Sequence, residues 1–204
     1  MIIEQLEVTW MSVFCYLLCE EETREAALID PAGDFDDIFT AVSRHDARVR
    51  YIINTHGHWD HTSGNARAVK KTGAMLLVHE ADAEHARSIP NRILSLTLGG
   101  RVSPEPVRLL RGGESIPLGS RELHIMHTPG HTPGHTCLLL ANGTAFAADL
   151  IGSPRRPHAQ NLLATDWRQI PSSLAHLQAA HPEVVYMGHS RRPITGQALQ
   201  GIQP

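Results

Sequence analysis

Residues 50–61 read Arg50-Tyr51-Ile52-Ile53-Asn54-Thr55-His56-Gly57-His58-Trp59-Asp60-His61. The first five residues are a short run with an apolar centre, Tyr51-Ile52-Ile53, and read as a β-strand. The residues after the strand do not build a core. Three imidazoles and one carboxylate fall within six residues, His56 to His61. A chain leaving a strand end can curl several side chains toward one point, and Gly57 lets the backbone turn tightly without a Cβ penalty. Neutral imidazole and carboxylate are the donors preferred by zinc and other borderline divalent metals. The competing account is a histidine-rich turn with solvated side chains. The density of the H-x-H-x-D-H pattern favours a metal site.

Working outward, the N-terminal side offers two apolar runs, Val13 to Leu18 and Ala26 to Asp30. The charged stretch Glu20 to Arg24 lies between them, so the pair reads as two strands joined by a hairpin turn. Pro31, Gly33 and Asp34 break the chain. Phe35 to Ser43 then carries Phe35, Ile38, Phe39 and Val42 at helical spacing. Beyond the histidines, Ala66 to Thr72 reads as a helix and Ala74 to Val78 as a strand, giving the order β-β-α-β-α-β. Ala81 to Ser88 reads as a short helix. Pro90 to Glu105, rich in Gly, Ser and Pro, shows no assignable element. Strands come next at Glu122 to Met126, Thr136 to Leu140 and Thr144 to Ala147, the last two flanking the hairpin dipeptide Asn142-Gly143. Asp166 to Ala180 is helical, Pro182 stops it, and Glu183 to Met187 is a final strand. Strands and helices mixed in both halves predict an α/β layered domain.

The chain has 204 residues, a length that suits one domain over 1–204. A net charge of −3 leaves no basic footprint for nucleic acid or an anionic membrane surface. No apolar run approaches the roughly 18–20 residues that span a bilayer. The first ten residues, MIIEQLEVTW, lack the pattern of a secretory signal. Three cysteines at no metal-like spacing point to a reducing compartment, so a cytoplasmic location is expected. Cys15 and Cys19 share one face of a strand and read as core, as does Cys137.

Fourteen histidines are many for this length. Three further candidates each lie just past an apolar strand: His131 in the loop His127 to His135, Asp149 after Ala145 to Ala148, and His189 after Val184 to Gly188. A single polar residue after a strand is usually a turn residue. With the first cluster, however, they make seven donors: His56, His58, Asp60, His61, His131, Asp149 and His189. Seven suits two ions sharing one carboxylate. Arg155 and Arg156, like Arg191 and Arg192, read either as grips on an anionic substrate or as solvated loop arginines.

Quoted together, Thr55 to His61, Thr128-Pro129-Gly130-His131-Thr132, Ala148-Asp149, Gly188-His189 and Leu28-Ile29-Asp30-Pro31 resemble, in order and spacing, the motifs of the metallo-β-lactamase superfamily and its glyoxalase II (hydroxyacylglutathione hydrolase)-like branch. The resemblance implies a four-layer αββα sandwich. It implies one ion on His56, His58 and His131, a second on Asp60, His61 and His189, and Asp149 bridging them. His135 is expected to support the site rather than to ligate. Two divalent ions are expected, zinc first, with iron or manganese as alternatives. The activity implied is hydrolysis of a small ester or thioester by a metal-bridging hydroxide, with Asp60 and Asp149 catalytic and Arg155 and Arg156 contacting a small-molecule substrate. The family often pairs into homodimers. Two features separate this chain from glyoxalase II. Leu150 to His158 replaces a Gly-Cys-Gly-Arg-like loop, and only 15 residues lie beyond His189, so no C-terminal glutathione-binding domain is expected. The alternatives are a mononuclear iron oxygenase of the persulfide dioxygenase type and a non-catalytic ligand-binding member of the fold.

Overall fold

The computed structural model describes all residues except Trp10, Asp34, Leu98, 153–155 and Pro204. Strand β1 (Ile2–Glu7) leads into β2 (Phe14–Cys19) and β3 (Glu25–Ile29). Helix α1 (Phe35–Arg44), β4 (Arg48–Ile53), α2 (Trp59–Thr62), α3 (Asn65–Thr72) and β5 (Met75–His79) come next. Helix α4 (Ile89–Thr97) and β6 (Arg108–Leu110) complete the first half. The second half contains β7 (Ser115–Leu118), β8 (Arg121–His127), β9 (Thr136–Leu140), β10 (Thr144–Phe146), β11 (Ile151–Gly152) and β12 (His158–Ala159). It ends with α5 (Ile170–Ala179), β13 (Val184–Tyr186), β14 (Ile194–Thr195) and α6 (Gly196–Gln200).

Two six-stranded sheets result, ordered β1-β2-β3-β4-β5-β6 and β14-β13-β10-β9-β8-β7. In the first, β1, β2 and β3 pair antiparallel, and β3 to β6 run parallel. In the second, only β10 and β13 pair in parallel.

The run FCYLLC shows why the sheets stack. A strand's side chains alternate between faces, so an unbroken apolar run must be buried on both sides. Phe14, Tyr16 and Leu18 meet Ile116, Leu123, Leu138 and Phe146 in a core between the sheets. Cys15, Leu17 and Cys19 face the other way, onto Phe35, Ile38 and Ala41 of α1 and Ala68 of α3. The outer face of the second sheet, with Cys137, Ala145 and Val185, is covered by Ile170, Leu174 and Leu177 of α5 and Leu199 of α6. The layers are therefore α, β, β, α, and all three cysteines are buried thiols.

The structure departs from the expectations of the sequence at several points, the first being that an additional strand, β1, precedes the expected order. Ala81 to Ser88 forms two single 3-10 turns, Glu80–Asp82 and His85–Arg87, rather than one helix. Half of the unassigned stretch is α4, with Pro90 in its first turn, where the missing N–H has no helical partner to lose. Asp60 and His61 lie on the single helical turn α2, not on an open loop. Among the described residues, no helix is long and apolar enough to cross a membrane.

Candidate metal centre

Strand ends deliver the site. The chain leaves β4 at Asn54, passes His56 and His58, and turns into α2, which carries Asp60 and His61. The loop between β8 and β9 carries His131 and His135. Asp149 comes directly after Ala148, whose φ of 43° lies in the left-handed region and turns the chain sharply after β10. His189 lies just past β13 and Gly188.

All seven expected donors converge. His58 Nδ1 and His131 Nε2 are 3.0 Å apart. His131 Nε2 is 3.4 Å from Asp149 Oδ2. His61 Nε2 lies 3.6 Å from Asp149 Oδ1 and 3.8 Å from Asp60 Oδ2. His189 Nε2 lies 3.3 Å from Asp149 Oδ2 and 3.5 Å from Asp60 Oδ2. Three compact donor groups emerge among the described residues: His56/His58/His131 and Asp60/His61/His189, with Asp149 in reach of both, and Asp30/His56/His61, in which Asp30 is already taken up by Thr55 and by His61 Nδ1. Metal–nitrogen bonds of about 2.0–2.1 Å at tetrahedral angles separate ligand atoms by about 3.3–3.4 Å, so this spacing suits divalent ions. Six of the seven residues are buried; His189, with a side chain 29% exposed, marks the open side.

The ring nitrogens are set by partners behind them. His61 Nδ1 donates to Asp30 Oδ2 at 2.9 Å. The Thr55 hydroxyl also donates to Asp30 Oδ2, at 2.6 Å, and can therefore accept from His56 Nδ1 at 3.0 Å. His189 Nδ1 donates to the Met11 carbonyl at 3.1 Å. Each bond points the opposite nitrogen, Nε2, into the cluster. His56 Nε2, His61 Nε2 and Asp149 Oδ1 are buried there with no hydrogen-bond partner. Buried polar atoms are rarely left unpaired, and a cation would satisfy all three.

Charge divides the centre in two. Burial, reinforced by the neighbouring imidazoles, pushes His56, His58 and His131 below the ordinary histidine value, His58 to about 4. Those rings are neutral at pH 7, as ligation requires. For His61 and His189 burial works in the same direction but is outweighed by Asp149 and the carboxylates beside it. His61 rises well above its ordinary value and His189 to about 10. Asp60 and Asp149 resist burial through the same pairing and stay below the usual carboxylate range. Two protons thus compensate, in the second set, the negative charge that a cation would neutralise.

Other side chains lie around the cluster or away from it. His135 is fully buried, with Nδ1 2.9 Å from the Thr128 hydroxyl and its ring centre 5.5 Å from that of His56. Burial pushes it down to about 3. Trp59 is half-buried against His58. His79 stacks on His127 at 4.2 Å, and exposed His158 bonds the Arg156 carbonyl, so neither joins the donor set. Arg156 is exposed, and Arg155 lies outside the described residues. Arg191 is exposed and pairs with Glu7. A cleft of about 520 Å³ opens beside His189, walled by Ser12, Phe14, Ser190, Arg191 and Arg192.

The sequence marks Asp30 only through a resemblance and does not mark Asp82 at all. Asp82 is buried, yet its partners are mainly backbone N–H groups, which a sequence does not display. His85, whose ring centre is 5.5 Å from that of His58, is likewise unmarked.

Comparison with known proteins gives the family and the fold. A hydroxyacylglutathione hydrolase from Polaromonas sp. is 30% identical over 181 residues, covering 86% of this chain and 61% of that protein. The chain thus spans less than two thirds of that relative's length. The crystal structure of BLEG-1 B3 metallo-beta-lactamase superposes with a TM-score of 0.85 at 19% identity, covering 100% of this chain and 98% of that one. The di-iron-bound form of TTHA1623 gives a TM-score of 0.82 at 23% identity, covering 98% of each chain. The model of the metallo-beta-lactamase superfamily matches residues 8–189, from the start of the first sheet's hairpin to the last histidine of the cluster, and the chain belongs to that superfamily.

Proposed function

We propose that the chain is a metal-dependent hydrolase that holds two divalent ions and cleaves a small ester or thioester. One observation carries this: seven His and Asp side chains from four segments meet, six of them with donor atoms 3.0–3.8 Å apart and His56 within 4.8 Å of His58 and His131, several of the atoms buried and unpartnered. His56, His58 and His131 would hold one ion, Asp60, His61 and His189 the other, with Asp149 shared. Zinc suits the all-nitrogen and oxygen donor set, and iron or manganese would also be accepted. A relative of the same fold is known in a di-iron form.

When bound, such ions lower the pKa of a coordinated water to near neutral and polarise a substrate carbonyl. The protein's own groups arrange the rest. Asp60 stays ionised at pH 7, so its carboxylate accepts a hydrogen bond from the attacking water and orients it. Asp30 and Thr55 keep His56 and His61 from rotating. The partly exposed edge at His189 admits substrate, and the adjoining cleft receives its remaining part, with the Arg192 side chain on its wall. The relative from Polaromonas supports an acyl compound as substrate. A mononuclear iron oxygenase would need only the first donor set. The second set around Asp149 favours two ions.

The test is elemental analysis of protein purified without chelators, followed by turnover on esters, thioesters and lactones. Two ions per chain and thioester or ester cleavage are expected. Asp149→Ala and His58→Ala should each lose at least one ion and lower turnover by about 10³-fold or more, since several kcal/mol of transition-state stabilisation are at stake. Full activity in either variant, or oxygen uptake with a single iron, would overturn the reading.

A further inference from the structure

Behind the ligands lies a carboxylate that touches none of them. Asp82, at the end of the 3-10 turn after β5, is fully buried. Its Oδ2 accepts the Gly57 N–H at 2.7 Å and the Thr132 hydroxyl at 2.5 Å. Its Oδ1 accepts the Gly134 N–H at 2.7 Å. Gly57 sits between His56 and His58, while Thr132 and Gly134 flank His131 and His135. One side chain therefore ties together two loops about 75 residues apart in sequence, each carrying ligands of the first ion.

The fit is tight on both sides. A Cβ at Gly134 would lie 2.7 Å from Asp82 Cγ, and one at Gly57 would lie 3.1 Å from the Asp82 carbonyl oxygen. The Gly57 residue is also held at its carbonyl, which accepts from Asn91 Nδ2 of α4. With N–H and C=O both pinned, the segment between His56 and His58 cannot turn. Asp30, by contrast, braces rings of both sets, His61 directly and His56 through Thr55, whereas Asp82 reaches only the two loops that carry His56, His58 and His131.

We infer that Asp82 is a positioning residue that sets the 3.0 Å spacing of His58 and His131, and so the affinity of the first ion in particular. This rests on the two-ion reading above. A carboxylate that accepts three hydrogen bonds in a dry site cannot be replaced by its amide without turning one acceptor into a donor that faces an N–H or hydroxyl. The ring pair would then relax apart without any ligand having been removed.

The experiment is a zinc titration of chelator-stripped protein against a chromophoric chelator, with the cobalt-substituted absorption spectrum read in parallel. Wild type should take two ions. Asp82→Asn should bind one ion as wild type does and the other about 10–100-fold more weakly, the usual scale for losing a group behind a ligand. Thr132→Val deletes one of the three donors and should give a smaller loss in the same ion, which keeps the test alive should Asp82→Asn fail to fold. Ile116→Val, in the core between the sheets, lowers stability without touching either loop and should bind both ions normally. Wild-type binding of both ions by Asp82→Asn and Thr132→Val, or a loss in Ile116→Val that tracks its fall in Tm, would overturn the assignment to Asp82 alone. Wild-type protein that takes no ion would overturn the two-ion reading, and this inference with it.

Discussion

At the scale of single residues, the centre depends as much on what is missing as on what is present. Gly188 precedes His189, and its N–H donates to the Ala148 carbonyl at 3.0 Å, next to Asp149. A Cβ there would run into Asp149 Oδ1 and come within 3.1 Å of His61 Cε1. His61 is pinned by Asp30, so the strain falls on Asp149, which can yield only by leaving the imidazoles around it. Gly188→Ala is therefore expected to push Asp149 out of line, cutting turnover by about 10²-fold or more for a displacement near 1 Å. Its thermal midpoint without metal should fall far less than its zinc affinity. Zinc titration and a melting curve on the same preparation check this, and equal zinc affinity in the two proteins would refute it. The sequence shows Gly188 as a neighbour of a ligand, but only the approach of Asp149 from a distant strand explains why the position has no room.

At the scale of elements, the two sheets are tied beside the site by Tyr16. Its ring packs edge-on to Phe146 at 5.0 Å and Tyr186 at 5.3 Å, and its hydroxyl donates to the Met187 carbonyl at 2.6 Å, across the inter-sheet core. Burial raises its pKa well above the ordinary value, aided by Asp30, so it remains a donor throughout. Tyr16→Phe leaves the Met187 carbonyl unpaired and should cost about 1–2 kcal/mol, read as a lower urea midpoint, with zinc stoichiometry unchanged. A neutral result would mean that water replaces the hydroxyl. Elements with a clear periodicity are legible in the sequence: β2, β3, α1, β4 and α5 all lie where the apolar spacing puts them. β1 is not, since IIEQLE is half-buried along its whole length and mixes polar and apolar residues on both faces. α4 is hidden by Pro90, which reads as a breaker but sits in a first turn that tolerates it. The seven donors are legible because each lies just past a strand, and strand ends lie at one edge of a sheet. Their supports are not, because Asp82 and the Met11 carbonyl act through backbone groups.

At the scale of the whole molecule, the centre makes stability depend on pH in a way that metal should remove. His58 and His135 are pushed down from 6.5, to about 4 and about 3, so folding holds them neutral where the unfolded chain would protonate them. The folded state then binds fewer protons, and stability falls as the pH drops below about 6.5 toward those values. His189 is raised from 6.5 to about 10, and His61 is raised too. Both contributions are complete below the unfolded value; that of His189 is lost as the pH climbs from about 6.5 to about 10, and that of His61 is lost in the same direction, because the folded state must give up protons that the unfolded chain has already released. The metal-free protein should therefore be most stable near pH 6.5 and weaken on both sides. Ions held by these residues would take the place of the protons on His61 and His189, so the alkaline limb should flatten in zinc-loaded protein, while acid should still displace the metal. Thermal midpoints from pH 4 to 10, measured with a chelator and with zinc, test both limbs. A chelated protein whose stability stayed level between pH 6.5 and 10 would mean that His61 and His189 do not hold their protons between Asp149 and Asp60, and the charge balance drawn for the second donor set would be wrong.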